Sequence, residues 1–282
     1  MSPNPTPDSA PQTHDMPMLG IGTWQNDEPE QCAESVRTAL EMGYRHVDTA
    51  QAYGNEKAVG DGIAAADVPR EEVFLATKVE TQAPRDPYSH EEVVESVEES
   101  LEKLGTDYLD LLYVHWPVRA YDPEETLPAF DELYDRGLID RVGVSNFEPE
   151  HIDEARDRLD APIFANQIEM HPLLPQAGLR AYAEETDIEL VAYSPLARGG
   201  VFDVPEIADV AEKHGVSAAQ VSLAWLREKG VTAIPKATGR DHIADNWASL
   251  SLDLDAEDIA TIDGIDRTER RIDPSWGPAA WA

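Results

Sequence analysis

A single cysteine, Cys32, excludes any disulfide within the chain. It lies in QCAESVRTAL with Val36 and Leu40 at helical spacing, which reads as a small buried residue and not as a reactive thiol. No run of about 18 apolar residues occurs, which excludes a membrane-spanning helix. The opening stretch MSPNPTPDSAPQTHD lacks the basic start and apolar stretch of a secretory signal. Residues 1–14 are therefore expected to be a flexible tail, residues 15–282 a single domain, and the protein cytoplasmic. Basic residues are scarce. Lysine and arginine together number 22 against 56 acidic residues, a net charge of −34, and lysine itself occurs six times. Such a surface repels nucleic acid and anionic lipid, so neither is expected as a partner. The acids alternate with apolar helical positions, as in EEVVESVEESLEKL, which describes a folded acidic coat and not an acidic tail. A coat of that charge is expected of a protein working in high salt, where counterions screen self-repulsion. Nothing marks a subunit interface, and a monomer is expected.

Nucleotide-binding signatures are missing as well. GIGTWQND, after the first apolar run, is not a GxGxxG loop, and no phosphate-binding P-loop appears anywhere. That speaks against a doubly wound open sheet. What the sequence does contain is an alternation. Eight β-rich runs (MLGIGTW, YRHVDTA, VFLATKV, YLDLLYVHW, IDRVGVSNF, IFANQIEM, IELVAYS and VTAIPK) are separated by amphipathic helical stretches. Several of those stretches, such as EQCAESVRTALEMG and HEEVVESVEESLEKLG, end on glycine, as helices commonly do. Buried strands alternating with helices imply a parallel sheet covered on both faces. Eight such units in this length predict an α/β fold closed as a (β/α)8 TIM barrel.

In such a barrel the functional groups sit at the C-terminal ends of the strands. The run ends carry, in order, Thr23 and Trp24; Asp48, with Tyr53 in the loop beyond; Lys78; His115 and Trp116; Ser145 and Asn146; Gln167; Tyr193 and Ser194; and Lys236. Taken singly, each has an ordinary reading. Asp48 could bond loop amides, and Tyr53 or His115 could be partly buried packing residues. Independent ordinary causes would not place polar groups at nearly every strand end. Four of these groups form a chemical set. A tyrosine is a weak acid with an unperturbed pKa near 10. A lysine beside it favours the phenolate and is expected to draw its pKa down toward the working range, an aspartate keeps that lysine charged, and a histidine can hydrogen-bond a substrate oxygen. Together they can protonate an oxygen that is turning negative, as a carbonyl does on receiving hydride.

GYRHVDTAQAYGNEKAVG, LDLLYVHWP, VGVSNF and IPKATGRDHIADN together resemble the aldo-keto reductases, over nearly the whole chain beyond the tail. More narrowly, the chain is similar to prokaryotic members of the 2,5-diketogluconate reductase type. The resemblance implies a catalytic tetrad of Asp48, Tyr53, Lys78 and His115, with Tyr53 as general acid. It implies hydride transfer from NADP(H) or NAD(H), without a Rossmann fold, to a small carbonyl substrate such as an aldehyde, keto sugar or diketo acid. Ser145, Asn146 and Gln167 would hold the carboxamide, Tyr193 would stack on the nicotinamide, and Ser194 and Leu196 would follow the pyrophosphate. Thr23 and Asp48 would border the cofactor, while Lys236, Arg240, His242 and Asn246 would meet its adenosine end. Trp24, Tyr53, His115 and Trp116 would shape the substrate pocket.

The chain departs from the family pattern at several places. Ala237 stands where serine is common and His242 where arginine is common, with Arg240 two residues earlier. The expected lean toward NADP(H) is therefore moderate. Glu80 replaces a frequent aromatic, and the short ending RRIDPSWGPAAWA predicts an open pocket. Two other functions fit the sequence less well. A cofactor-sensing regulatory subunit on this fold would not need an intact tetrad. A metal-dependent hydrolase would need clustered ligands, and no His-x-His pair occurs. Glu169 with His171 comes nearest to ligand spacing, and His171 otherwise reads as a loop residue before Pro172.

Overall fold

A computed structural model describes residues 6–7 and 10–278 of the chain. Each of the eight predicted runs contains a strand of one parallel sheet: β3 (Ile21–Gly22), β4 (His46–Asp48), β5 (Phe74–Val79), β6 (Leu111–Val114), β7 (Val142–Ser145), β8 (Ile163–Glu169), β9 (Glu189–Tyr193) and β10 (Thr232–Ala233). They pair in sequence order. Parallel bridges between Leu19 and Ala233 and between Gly22 and Lys236 join the last strand to the first and close the barrel. β10 is short because Pro235 has no N–H for a ladder. Among the described residues no helix is long and apolar enough to cross a membrane.

The helices form from their own local signals. α3 (His90–Leu104) begins at Ser89, whose hydroxyl accepts from the Glu92 amide while Glu92 reaches back to the Ser89 amide. It ends at Gly105, whose φ of +67° is the left-handed turn that glycine adopts without strain. Its apolar positions Val93, Val97, Leu101 and Leu104 recur at helical spacing and are buried. Each is worth roughly 1.5–3 kcal/mol, so a charged residue at Val97 would break this packing.

The tail boundary falls inside a structured element. β1 (Gln12–Thr13) pairs antiparallel with β2 (Met16–Pro17), so ordered backbone begins before residue 15. Residues 1–5, 8 and 9 of the expected tail lie outside the described residues. Met16 is fully buried and plugs the lower end of the barrel against Phe74, Ala76, Leu111 and Tyr113.

Strand parity explains the barrel interior. Side chains alternate across a strand, and Phe74, Ala76, Leu111, Tyr113, Ala165, Val191 and Ile234 form one inner cluster. Continuing the same parity upward reaches Lys78 on β5, His115 just beyond β6, and Gln167 and Glu169 on β8. Gly143 belongs to this stack by what it omits. A Cβ there would lie 2.5 Å from the Tyr113 ring, so only a bare α-carbon leaves room for it.

Candidate active site

The top layer of that interior is polar. Lys78 and Asp48 are both buried, and the lysine Nζ donates to Asp48 Oδ1 at 2.6 Å and to the Thr49 carbonyl at 2.7 Å. Gln167 Nε2 donates to the other carboxylate oxygen, Oδ2, at 2.8 Å. The register aligns Asp48 with Ala76, two residues before Lys78 on the neighbouring strand, which places the two charges within reach. Thr23 Oγ1 donates to the Asp48 carbonyl. Asn55 Nδ2 donates to the carbonyls of Thr23 and Asn26, and its own oxygen accepts from Thr49. The loop that carries Tyr53 is thereby tied to the loop after β3.

Tyr53 lies in a 3₁₀ turn (Gln51–Tyr53) that ends on Gly54 at φ +66°. Lys78 Nζ sits over its ring, 5.3 Å from the centroid. The His115 ring meets it edge-on at 5.8 Å. Burial, then the nearby Asp48 charge and Tyr193, push the Tyr53 phenol well above its ordinary value of 10.0. This corrects the expectation that Lys78 draws the phenol down toward the working range, for the cation faces the ring and burial dominates. The resting group is a protonated phenol. Burial also lowers Lys78, opposed by Asp48 and Glu56. His115 is held well below 6.5 by burial and by Lys78, so its ring is neutral at neutral pH.

A second layer surrounds the cavity. Ser145 Oγ donates to the Gln167 carbonyl and accepts from Asn146 Nδ2, which also donates to the His115 carbonyl. Tyr193 donates to Asn146 Oδ1 at 2.8 Å. Asn146 and Ser194 adopt positive φ, +64° and +48°, the uncommon left-handed backbone that recurs at functional strand ends. The cavity measures about 680 Å³, within the range typical of small-molecule sites. It is lined by Thr23, Trp24, Asp48, Tyr53, His115, Trp116, Ser145, Asn146, Gln167, Tyr193, Ser194, Leu196 and Lys236. Lys78 stands behind this wall, screened by Asp48 and Tyr53. Arg240, His242 and Asn246 do not line it: all three lie on α9 (Arg240–Ala248), with Arg240 and His242 exposed in its first turn and Asn246 buried.

Sequence reasoning missed part of the site. Glu56 is buried behind Lys78, accepts from Thr77 and Ser100, and has its carboxyl raised by burial. In the sequence it looks like an ordinary acid opening a helix, where the dipole favours one. Gln82, Arg198, Phe202, Ile272, Pro274 and Trp276 also line the cavity. The short C-terminal segment, expected to leave the pocket open, thus supplies three side chains to its wall. Glu169 and His171 are both buried and bond each other at 2.9 Å, so His171 is no mere loop residue.

The residues suit a nicotinamide cofactor. The amide and hydroxyl groups of Ser145, Asn146 and Gln167 keep hydrogen-bonding capacity beyond their mutual contacts. Tyr193 offers a ring beside them. Lys236 is exposed and forms no ion pair among the described residues, so its ammonium is available to an anion.

The chain is 38% identical over 270 residues to the methylglyoxal reductase of Escherichia coli (strain K12), covering 95% of this chain and 96% of that protein. The solved structure of a candidate 2,5-diketo-D-gluconic acid reductase B superposes with a TM-score of 0.88 at 36% identity, over 93% of each chain. The Bombyx mori aldo-keto reductase, solved in complex with NADP, gives 0.85 at 33% identity, over 94% of this chain and 95% of that one. The model of the Aldo/keto reductase family matches residues 18–267, and with the barrel and its polar strand ends in place the chain belongs to that family of oxidoreductases.

Proposed function

We propose that the protein reduces small carbonyl compounds to alcohols with NADPH preferred over NADH, using Tyr53 as the general acid. The convergence of Tyr53, His115 and Asp48 on one cavity, with Lys78 paired to Asp48 behind its wall, carries this reading. A reduced nicotinamide cofactor would supply the hydride, held by Ser145, Asn146, Gln167 and Tyr193 at its ring end and by Lys236 at its phosphate end. The remaining steps belong to the chain itself. Neutral His115 orients the carbonyl oxygen beside the phenol. Tyr53 keeps its proton at rest because burial and Asp48 oppose its loss. As the oxygen turns negative it takes that proton, and the phenolate left behind faces the Lys78 cation over its ring. Asp48 balances that cation before and after the transfer, and Glu56 lies behind it.

The substrates are aldehydes, keto sugars or diketo acids. A 2-oxoaldehyde is the first to try, given the similarity to a methylglyoxal reductase. The acidic coat supports work in a cytoplasm of high salt, as a monomer. The test is a turnover assay with NADPH and NADH over these carbonyl classes in molar KCl. Saturable oxidation of NADPH is expected with at least one class. Cofactor binding without turnover of any would overturn the reading in favour of a sensing role.

A further inference from the structure

Beyond α10 (Ala256–Asp263) the chain runs to residue 278 without helix or strand, yet Ile272, Pro274 and Trp276 stand in the cavity wall. A segment without regular structure needs another means of holding its place. That means is one fully buried carboxylate, Glu169, at the end of β8. Its Oε1 accepts the Arg271 amide at 2.6 Å and His171 Nε2 at 2.9 Å, and its Oε2 accepts the Ile272 amide at 2.8 Å. Two consecutive main-chain N–H groups are thus taken by the two oxygens of one side chain. No lysine or arginine pairs with Glu169 among the described residues. The other ring nitrogen of His171, Nδ1, is buried without a partner, so the proton on Nε2 is the one directed at the carboxylate.

Other contacts flank this point. The Glu269 amide donates to the Leu173 carbonyl at 2.7 Å. Farther on, Trp276 packs edge-on against Trp116 at 5.0 Å, with the Arg119 guanidinium 4.8 Å from its ring centre. A buried, charge-assisted pair of amide bonds is the strongest hold of the three.

We propose that Glu169 is a positioning residue for substrate selection: it clasps residues 271 and 272 and thereby sets the pocket wall made by Ile272, Pro274 and Trp276. A carboxylate is needed because both of its faces must accept. Glutamine would turn an NH2 group toward one of the two amides, and one bond would be replaced by a donor-to-donor contact. The selection arm rests on the carbonyl-reductase reading given above, whereas the clasp itself does not.

The experiment compares Glu169→Gln with wild type in the full-length enzyme. Amide exchange at Arg271 and Ile272, followed by mass spectrometry, is expected to quicken by about tenfold or more, as loss of one charged hydrogen bond implies. KM for 4-nitrobenzaldehyde, which carries an aromatic ring into the pocket, is expected to shift about fivefold relative to KM for the much smaller methylglyoxal. The kcat ratio of the two should move less. Should Glu169→Gln fail to fold, Arg271→Pro deletes one clasped N–H from the segment itself, and faster exchange at Ile272 with the same relative KM shift is expected. Arg271→Ala keeps the main-chain N–H and should leave Ile272 exchange slow. Unchanged exchange at 271 and 272 in the folded variant would overturn the clasp. Equal KM factors for the two aldehydes would overturn its role in selection. If the wild type turns over neither aldehyde nor any other carbonyl, the enzymatic reading fails, and amide exchange still decides the clasp.

Discussion

Two lysine–carboxylate pairs in this molecule have nearly the same geometry and opposite settings. Lys78 and Asp48 meet at 2.6 Å in the barrel mouth, with 1% and 2% of their side chains exposed. Lys57 and Asp61 meet at 2.9 Å on the outer face of α2 (Glu56–Ala65), with 76% and 59% exposed. On the surface, water already solvates both charges and salt screens them, so the pair adds little. In the barrel, each charge has lost its water and depends on the other. Removing one strands its partner in a dry site. The same difference runs through the whole protein. The helix shell spreads most of the chain's 56 acidic residues over solvent, whereas the mouth buries a few, with Asp48 held by Lys78 and Gln167.

The largest effect should come at the mouth. Under the proposed mechanism Tyr53→Phe removes the proton donor and leaves the proposed cofactor contacts alone. Carbonyl reduction should fall by about 10² to 10⁴-fold, with NADPH affinity and melting temperature little changed. Retention of a tenth of wild-type turnover, with chemistry rate-limiting, would assign the acid to another group. In the wild type the raised phenol pKa also sets the pH profile. Reduction needs the protonated form, which is complete at neutral pH and is lost only as pH climbs past the ordinary value of 10.0 toward the folded one. A reduction rate already falling between pH 7 and 9 because of this group would contradict its burial.

Lys78→Met comes next, because it strands Asp48. A stability loss of about 3–5 kcal/mol by urea titration is expected, together with loss of turnover as the phenolate loses its facing cation. A variant with unchanged stability would mean that water reaches Asp48 and that the mouth is not dry.

Lys236 sits between the two regimes, at the rim and exposed. Lys236→Met should weaken NADPH binding by roughly 10- to 150-fold at low salt. NADH binding should change far less, and the gap should narrow in molar KCl. Equal weakening of both cofactors would remove the 2′-phosphate from Lys236.

The shell responds to salt as a whole and hardly at all to a single residue. Screening length falls from about 30 Å at 0.01 M to about 3 Å at 1 M, so melting temperature should climb steeply across that range. A flat curve would show that the acidic coat is not a high-salt adaptation. Lys57→Met, the smallest effect, should shift the melting temperature by about 2 °C or less. A shift as large as that of Lys78→Met would erase the distinction between shell and mouth.

What could be read from the sequence, and what could not, follows the same division. Asp48, Lys78 and His115 close apolar runs, and a (β/α)8 barrel gathers its functional groups at the C-terminal ends of its strands, so their place at the mouth was legible before any coordinates. The same holds for Ser145, Gln167 and Tyr193. In each case local pattern and closed topology together leave a side chain only one place to go. Glu56 was hidden because an acid at a helix start has an ordinary local use. Arg240 and His242, assigned to the cofactor's adenosine end by resemblance alone, stand exposed in the first turn of α9 outside the cavity lining. The direction of the Tyr53 shift was misjudged for a related reason: proximity of Lys78 can be argued from register, but degree of burial cannot.

The sequence by itself determined the eight-unit α/β barrel, the acidic coat and the strand-end groups, because hydrophobic periodicity and composition act locally and add up along the chain. Only the tertiary structure decided that the cation faces the phenol ring, that Gly143 makes room for Tyr113, and that the C-terminal segment is fastened to Glu169 across a separation of about a hundred residues. Those contacts join parts of the chain that carry no common period, and their energies arise from exclusion of water, which exists only once the barrel has closed.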